Sequence, residues 1–340
     1  MPSTAVLRRS LMLRRRPVGE PGADDFVLVE DPVPEPREGE VLTRTILLSI
    51  DPYMRGRLAD RASYAPPVAI GAVMTGETLG EVLASGDPGF VPGDIVLGSR
   101  GWQTHSLSPA SALTRVDRHA APLGAFLGVL GMPGTTAYSG MRDIGQPRAG
   151  ETVVVSAASG AVGSVAGQLA KRAGARVVGV AGGPDKCLWV QETLGFDDCV
   201  DHRSVHLRRL LADACPNGID VYFENVGGAV QEAAFGLLNP HARVVMCGMV
   251  AQYNASEPPP GPNLGFVVGK RVRIEGLIVF DQPERFAEWR ILAAPWVRDG
   301  TLRYRETIVE GLESAPEALR QVLRGGNFGK MLVRVGKLPA

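Results

Sequence analysis

The stretch VVVSAASGAVGSVAGQLAKRAG, residues Val153 to Gly174, opens as a β-branched run, tightens into small residues and then becomes helical in composition. Ala158, Gly160 and Gly163 stand where the pattern G-x-G-x-x-G puts three glycines. The order predicts a strand ending at Ser156 or Ala157, a tight turn, and a helix beginning near Gly163. A helix start of this kind presents unpaired N–H groups and a positive partial charge, which suits a pyrophosphate. Gly160 lets the backbone approach the phosphates, and Gly163 lets the helix pack closely on the strand. The methyl of Ala158 is the smallest departure from glycine. A degenerate glycine pattern alone is weak, but strand, turn, helix and second strand within about 30 residues point to a dinucleotide cradle.

The second strand says which dinucleotide. Binders of NAD place an acidic residue about 20 positions after the turn, on the ribose 2′-hydroxyl. Here RVVGV, from Arg176, runs into Ala181, Gly182 and Gly183 with no carboxylate at its tip. Asp185 lies past the tip and is expected to cap the next helix, whereas Lys186 offers a cation. A missing carboxylate beside a cation fits the 2′-phosphate of NADPH.

Outward from this stretch, the rest of the chain sets bounds. Its 340 residues favour two domains over one. Thirty-six basic residues balance 36 acidic ones, so no global field draws the protein to nucleic acid or anionic lipid. No apolar run approaches the roughly 20 residues that span a bilayer. The beginning of the chain lacks the apolar core of a secretory signal, so a cytoplasmic protein is expected. Cys187, Cys199, Cys215 and Cys247 form no C-x-x-C pair, which argues against a structural zinc cluster; they are expected to be buried or indifferent thiols.

Before about residue 125 the sequence reads as short strands broken by Gly, Asp and Pro, a β-rich domain with the look of a small barrel. From Glu151 strands alternate with helices, as in crossover units on a parallel sheet. The tail from Thr301 carries strand, helix and strand signals and is read as returning to the first domain.

AASGAVGSVAGQLAK, VVGVAGGPDK, FENVGG, CGMVAQYN and GNFGK together resemble the zinc-independent medium-chain dehydrogenase/reductases, in the branch of the prostaglandin reductases. RRPVGEP, SIDPYMRGR and SYAPP are most similar to its bacterial curcumin-reductase members. The resemblance implies an α/β protein: a GroES-like β-barrel catalytic domain over 1–128, a doubly wound Rossmann domain over 129–303, and a segment, 304–340, returning to the catalytic domain. It also implies NADPH-dependent reduction of the carbon–carbon double bond of α,β-unsaturated ketones or aldehydes, commonly by a homodimer. By the same resemblance Gly160, Ala161, Val162 and Gly163 face the pyrophosphate and Lys186 faces the 2′-phosphate. The branch often has a tyrosine near that phosphate, where this chain has His202. Asn225 falls by the ribose and nicotinamide. Cys247, Gly248 and the chain to Tyr253 line the nicotinamide half with Leu277, Ile278 and Val279, and Asn327 touches the cofactor from the tail.

The first domain has no cysteine, and His105 and His119 have no cysteine or His-Glu pair beside them, so no metal site is expected. Hydride addition to an enone needs only a donor near the developing enolate oxygen and a proton for the α-carbon. A phenol supplies either while staying neutral. Tyr253 follows the strand RVVMCGMV near the carboxyl ends of the sheet, where open α/β folds bind ligands. Tyr64 lies in the irregular SYAPP loop. Each is a candidate proton donor, with a packing role or solvent as the alternative. Tyr53, with Tyr64 and Tyr253, is a candidate pocket wall, though Tyr53 and Met54 read equally as core. Met132 and Thr135 are placed to shape the nicotinamide pocket. A quinone reductase of the same fold and a non-catalytic NADPH-binding sensor remain as alternatives.

Overall fold

The computed structural model describes residues 7–257 and 259–338. The chain up to Leu127 and from Glu306 onward makes one compact unit, and Gly128–Arg305 makes the other.

The continuous unit is built on six strands: β1 (Thr152–Ser156), β2 (Arg176–Ala181), β3 (Asp198–Asp201), β4 (Ile219–Glu224), β5 (Leu238–Met246) and β6 (Arg273–Gly276). They pair in parallel in the order β3-β2-β1-β4-β5-β6. This is the doubly wound Rossmann order, with the reversal between β1 and β4. The sequence explains the layering. Val153, Val154, Val155, Val177, Val178, Val221 and Phe223 are fully buried, as expected of strands covered on both faces.

Among the described residues these α-helices accompany the sheet: α1 (Met132–Ser139), α2 (Gly163–Arg172), α3 (Pro184–Glu192), α4 (Leu207–Ala214), α5 (Gly228–Gly236), α6 (Gly265–Lys270) and α7 (Glu284–Arg298). Close approach of α2 to the sheet is bought with small residues. Gly167 leaves no room for a side chain against the ring of Phe196.

The other unit is β-rich. Leu7–Leu13 pairs antiparallel with Phe26–Pro32. A seven-stranded sheet runs in the order 306–310, 330–334, 40–50, 78–85, 95–98 and 114–115, with 105–109 also paired to 40–50. The strand Glu40–Ile50 is its spine, and register shifts at Leu42/Thr43 and Thr45/Leu47 let it serve three neighbours. Lys330, 2% exposed, donates to Asp51 Oδ1 and to the Ile50 carbonyl, both at 2.8 Å. A lone buried charge here would be costly, so each holds the other in place. Among the described residues no helix is long and apolar enough to cross a membrane.

Candidate functional site

The cradle forms where β1 gives way to α2. Ala157 takes φ +49°, an uncommon left-handed turn for a residue with a side chain, and its carbonyl accepts the Gly160 N–H at 2.8 Å. A Cβ built on Gly163 would lie 2.3 Å from the Ala157 carbonyl oxygen, so only glycine lets the helix start there. No side chain caps α2, whose N-cap is Val162. The N–H groups of Ala161, Val162 and Gly163 therefore stand at the entry to an uncapped helix start, as an anion-binding turn requires.

At the foot of the cradle lies Glu224, which is fully buried at the end of β4. Its Oε1 accepts the Ser156 hydroxyl at 2.9 Å and the N–H groups of Val226 and Gly227 at 2.6 and 3.0 Å. Its Oε2 is buried without a hydrogen-bond partner. Asn225 is locked beside it, its N–H on Ser156 Oγ and its Nδ2 on the Ser156 carbonyl, both at 2.7 Å. With one Nδ2 hydrogen so engaged, Oδ1 is left as an acceptor, the group a ribose hydroxyl or a carboxamide N–H would need. The N–H groups of Cys247 and Gly248 bond the Glu224 carbonyl at 2.9 and 3.0 Å. Burial and then the nearby Glu224 push the Cys247 thiol up to about 12, so it is a neutral wall.

The tip of β2 collects cations. A Cβ built on Gly182 would lie 2.8 Å from His202 Nε2 and 3.5 Å from Arg203 Nε, and one on Gly183 would lie 3.2 Å from Arg203 Nη1. Burial and then the Arg203 charge pull the Lys186 pKa below its ordinary value. Burial also lowers that of His202; Asp201 opposes this, while Arg203 and Lys186 add to it. The Arg203 charge thus disfavours a proton on both Lys186 and His202, and a cluster of this kind suits a shared anion such as a phosphate. Arg203 is the member the sequence reading missed, and its signal is weak: a basic residue next to His202, after the third strand.

Two details of this tip differ from the sequence expectation. Gly183, at φ +96°, is the N-cap of α3 and Pro184 opens the helix, so Asp185 sits inside the first turn and does not cap it. Proline fits the first helical position, and glycine alone enters it easily from positive φ. There is also a carboxylate nearby, from the neighbouring strand: Asp201 Oδ1 accepts the N–H groups of Gly183 at 2.9 Å and Arg203 at 3.0 Å. Burial works against its ionisation, but those two bonds, with the charges of His202 and Arg203, hold its pKa low. Asp201 is thus spent on backbone.

Tyr253 lies beyond the carboxyl end of the sheet in this unit. It closes a 3₁₀ turn, Val250–Gln252, just beyond β5. Its phenol oxygen accepts the Met249 N–H at 3.3 Å and would lie 3.1 Å from a Cβ on Gly248. As an acceptor from the backbone, the phenol directs its own proton elsewhere. Leu277 continues from β6 with its N–H on the Met246 carbonyl at 3.1 Å, Ile278 follows half-buried, and Val279 is buried. Met132 is half-buried at the start of α1. Thr135 is fully buried, its hydroxyl donating to the Gly131 carbonyl at 2.9 Å, so it carries no polar group to a pocket.

In the β-rich unit the structure brings Tyr53 and Tyr64 together around a residue not foreseen, Arg57. Its guanidinium lies 4.3 Å from the Tyr64 ring centroid and 5.7 Å from that of Tyr53, and Nη1 donates to the Ala65 carbonyl at 2.7 Å. Burial, then the carboxylates of Asp51 and Glu77, hold the Tyr53 phenol well above its ordinary pKa, so it is a neutral donor. Met54 is fully buried core. Asn327, half-buried, donates from Nδ2 to the Gly329 carbonyl at 2.7 Å, shaping its own turn. Among the described residues no three His, Cys, Asp or Glu side chains are grouped to hold a metal ion.

Comparison with known proteins agrees with this layout. The N-terminal domain of oxidoreductase family matches residues 9–116, and the zinc-binding dehydrogenase family matches 161–294. An Escherichia coli protein named NADPH-dependent curcumin reductase is 49% identical over 96% of this chain and 96% of its own. The tobacco protein named 2-alkenal reductase (NADP(+)-dependent) is 38% identical over 98% of each chain. The structure of CurA from Vibrio vulnificus in complex with NADPH superposes with a TM-score of 0.92 at 44% identity, covering 97% of this chain and all of that one. Cradle, strand order and whole-length identity lead to one place: the chain belongs to the zinc-independent medium-chain dehydrogenase/reductases.

Proposed function

We propose that this protein uses NADPH to reduce the carbon–carbon double bond of α,β-unsaturated ketones and aldehydes. The observation that carries the reading is the whole-length 49% identity to a protein named NADPH-dependent curcumin reductase. The site fits the cofactor by its own chemistry. The uncapped turn of Gly160, Ala161, Val162 and Gly163 suits the pyrophosphate, and Lys186, His202 and Arg203 suit the 2′-phosphate. Asn225, Cys247, Gly248, Tyr253, Leu277, Ile278 and Val279 suit the nicotinamide half, with Met132 and Asn327 as further contacts and Thr135 only as buried support behind them. Bound NADPH supplies the hydride to the β-carbon of the substrate.

The chain's own groups then serve the charge that moves to the carbonyl oxygen. A phenol near that oxygen donates a hydrogen bond to the enolate or relays a proton to the α-carbon, and Tyr253 and Tyr64 are assigned this task. Tyr53, kept neutral by its surroundings, joins them as pocket wall. Homodimer formation and cytoplasmic residence belong to the same reading. The strand β6 ends the sheet, and Arg273, Glu275 and Gly276 are exposed on it, an edge a second copy can pair.

An NADPH-oxidation screen across enones, enals and quinones of graded size, with product analysis, tests the assignment. Saturated ketones and aldehydes are the expected products. Efficient turnover of quinones alone would move the protein to quinone reduction, and tight NADPH binding without any acceptor would make it a sensor.

A further inference from the structure

We propose that Glu224 is a positioning residue for the nicotinamide half of the site, a buried carboxyl group through which Asn225 and the segment leading to Tyr253 are set together. The role rests on the nicotinamide reading of those two residues given above. Glu224 ends β4 and Ser156 ends β1. These are the neighbouring strands between which the sheet order reverses, so their carboxyl ends border the crevice where open α/β sheets bind ligands. Both side chains are fully buried there.

One oxygen ties three places together. Glu224 Oε1 accepts the N–H groups of Val226 and Gly227, two and three residues on, and so folds the chain back over its own side chain. It also accepts the Ser156 hydroxyl at 2.9 Å, with the Phe223 carbonyl as a longer alternative at 3.2 Å. The same hydroxyl oxygen accepts the Asn225 N–H at 2.7 Å, so the carboxyl group reaches Asn225 through a single serine.

The fold-back also turns carbonyls outward. In a trans peptide the N–H and the preceding C=O point in opposite directions. With the Val226 and Gly227 N–H groups held on Oε1, the Asn225 and Val226 carbonyls face away from it. They accept the N–H groups of Val250 at 3.1 Å and Ala251 at 2.9 Å. The segment 247–251, already held at Cys247 and Gly248 by the Glu224 carbonyl, leads directly to Tyr253. Helix capping does not account for this arrangement, since no side chain caps α5, whose N-cap is Gly227. Without Oε1, three buried donors would lose their acceptor, and the turn that presents Asn225 would have to rearrange.

The test titrates the whole protein with NADPH and with adenosine 2′,5′-bisphosphate, which carries the 2′-phosphate half and lacks the nicotinamide. Thermal unfolding without ligand establishes that each variant is folded. Glu224→Met keeps the length and removes the acceptor: NADPH affinity should fall at least about tenfold, with that for the bisphosphate within about a factor of two. Glu224→Gln keeps Oε1 and should hold NADPH affinity within about threefold of the parent. Ser156→Ala cuts the link to Asn225 and should weaken NADPH about threefold or more, with the bisphosphate again unchanged. It decides the question by itself if Glu224→Met does not fold. Equal losses for both ligands would mean a general loosening of this unit and overturn the positioning role. Parent-like NADPH affinity in Glu224→Met or Ser156→Ala, or a Gln variant no better than Met, would overturn it too. The titrations need no enone, so a protein that binds NADPH yet reduces no double bond would count against the proposed function while the titrations still decide the role of Glu224.

Discussion

At the scale of single residues, the cations at the tip of β2 make the sharpest expectation. Lys186→Ala removes a charge-assisted contact worth roughly 1.5–3 kcal/mol. The NADPH Michaelis constant should rise, and that for NADH should hardly move. Steady-state kinetics with both cofactors checks this, and equal effects would show that the 2′-phosphate lies elsewhere. The two phenols make the second. Tyr253→Phe deletes a donor and keeps the ring; a lost donor in a dry site costs on the order of 2.7–4 kcal/mol, and water or ribose hydroxyls soften this. Turnover should drop roughly 10- to 100-fold, with NADPH affinity within about a factor of three. Tyr64→Phe, measured alongside, decides ownership: a large loss there with none in Tyr253→Phe would transfer the role to the β-rich unit. Unchanged turnover in both would leave solvent as the proton source.

At the scale of elements, the β1–turn–α2 unit depends on one absent methyl. Gly163→Ala would set a Cβ 2.3 Å from the Ala157 carbonyl oxygen, which is backbone and cannot swing aside. Overpacking of this kind typically costs about 1–3 kcal/mol. The expected outcome is a lower melting temperature without cofactor and weakened NADPH binding, checked by thermal unfolding and titration; a variant as stable and as avid as the parent would show that the turn is looser than drawn. This unit was readable from sequence because all its information is local: a β-branched run, glycines at fixed spacing, a helix-forming tail. Asp185 was misplaced as a cap because Pro184 and the positive φ of Gly183 set the helix start about two residues earlier. Arg203 and Asp201 escaped notice for another reason. They reach the tip of β2 only because β3 lies beside it, and strand neighbours are a property of the folded sheet. Glu224 was hidden in plain view within FENVGG, where its neighbour Asn225 drew attention. Arg57 became meaningful only when its loop set Tyr53 and Tyr64 on either side of it.

At the scale of the whole molecule, the prediction concerns metal. Full activity is expected after chelation and dialysis, since no ligand cluster is found among the described residues. Stoichiometric zinc that leaves together with activity, measured by elemental analysis, would overturn the proposed mechanism. The β-rich unit is made from both ends of the sequence, and its strand 330–334 lies between 306–310 and the spine strand, antiparallel to residues 47–50. During synthesis the spine strand and Asp51 leave the ribosome some 280 residues before Lys330 can meet Asp51. Until then Asp51 has no cation beside it and the spine strand keeps an open edge of apolar residues, Leu47, Leu48 and Ile50. The continuous unit, complete by Arg305, has no such wait. A nascent chain halted near residue 305 should therefore resist protease over the dinucleotide-binding part and be cut readily before it, and this early half is where chaperones would find their longest-lived target.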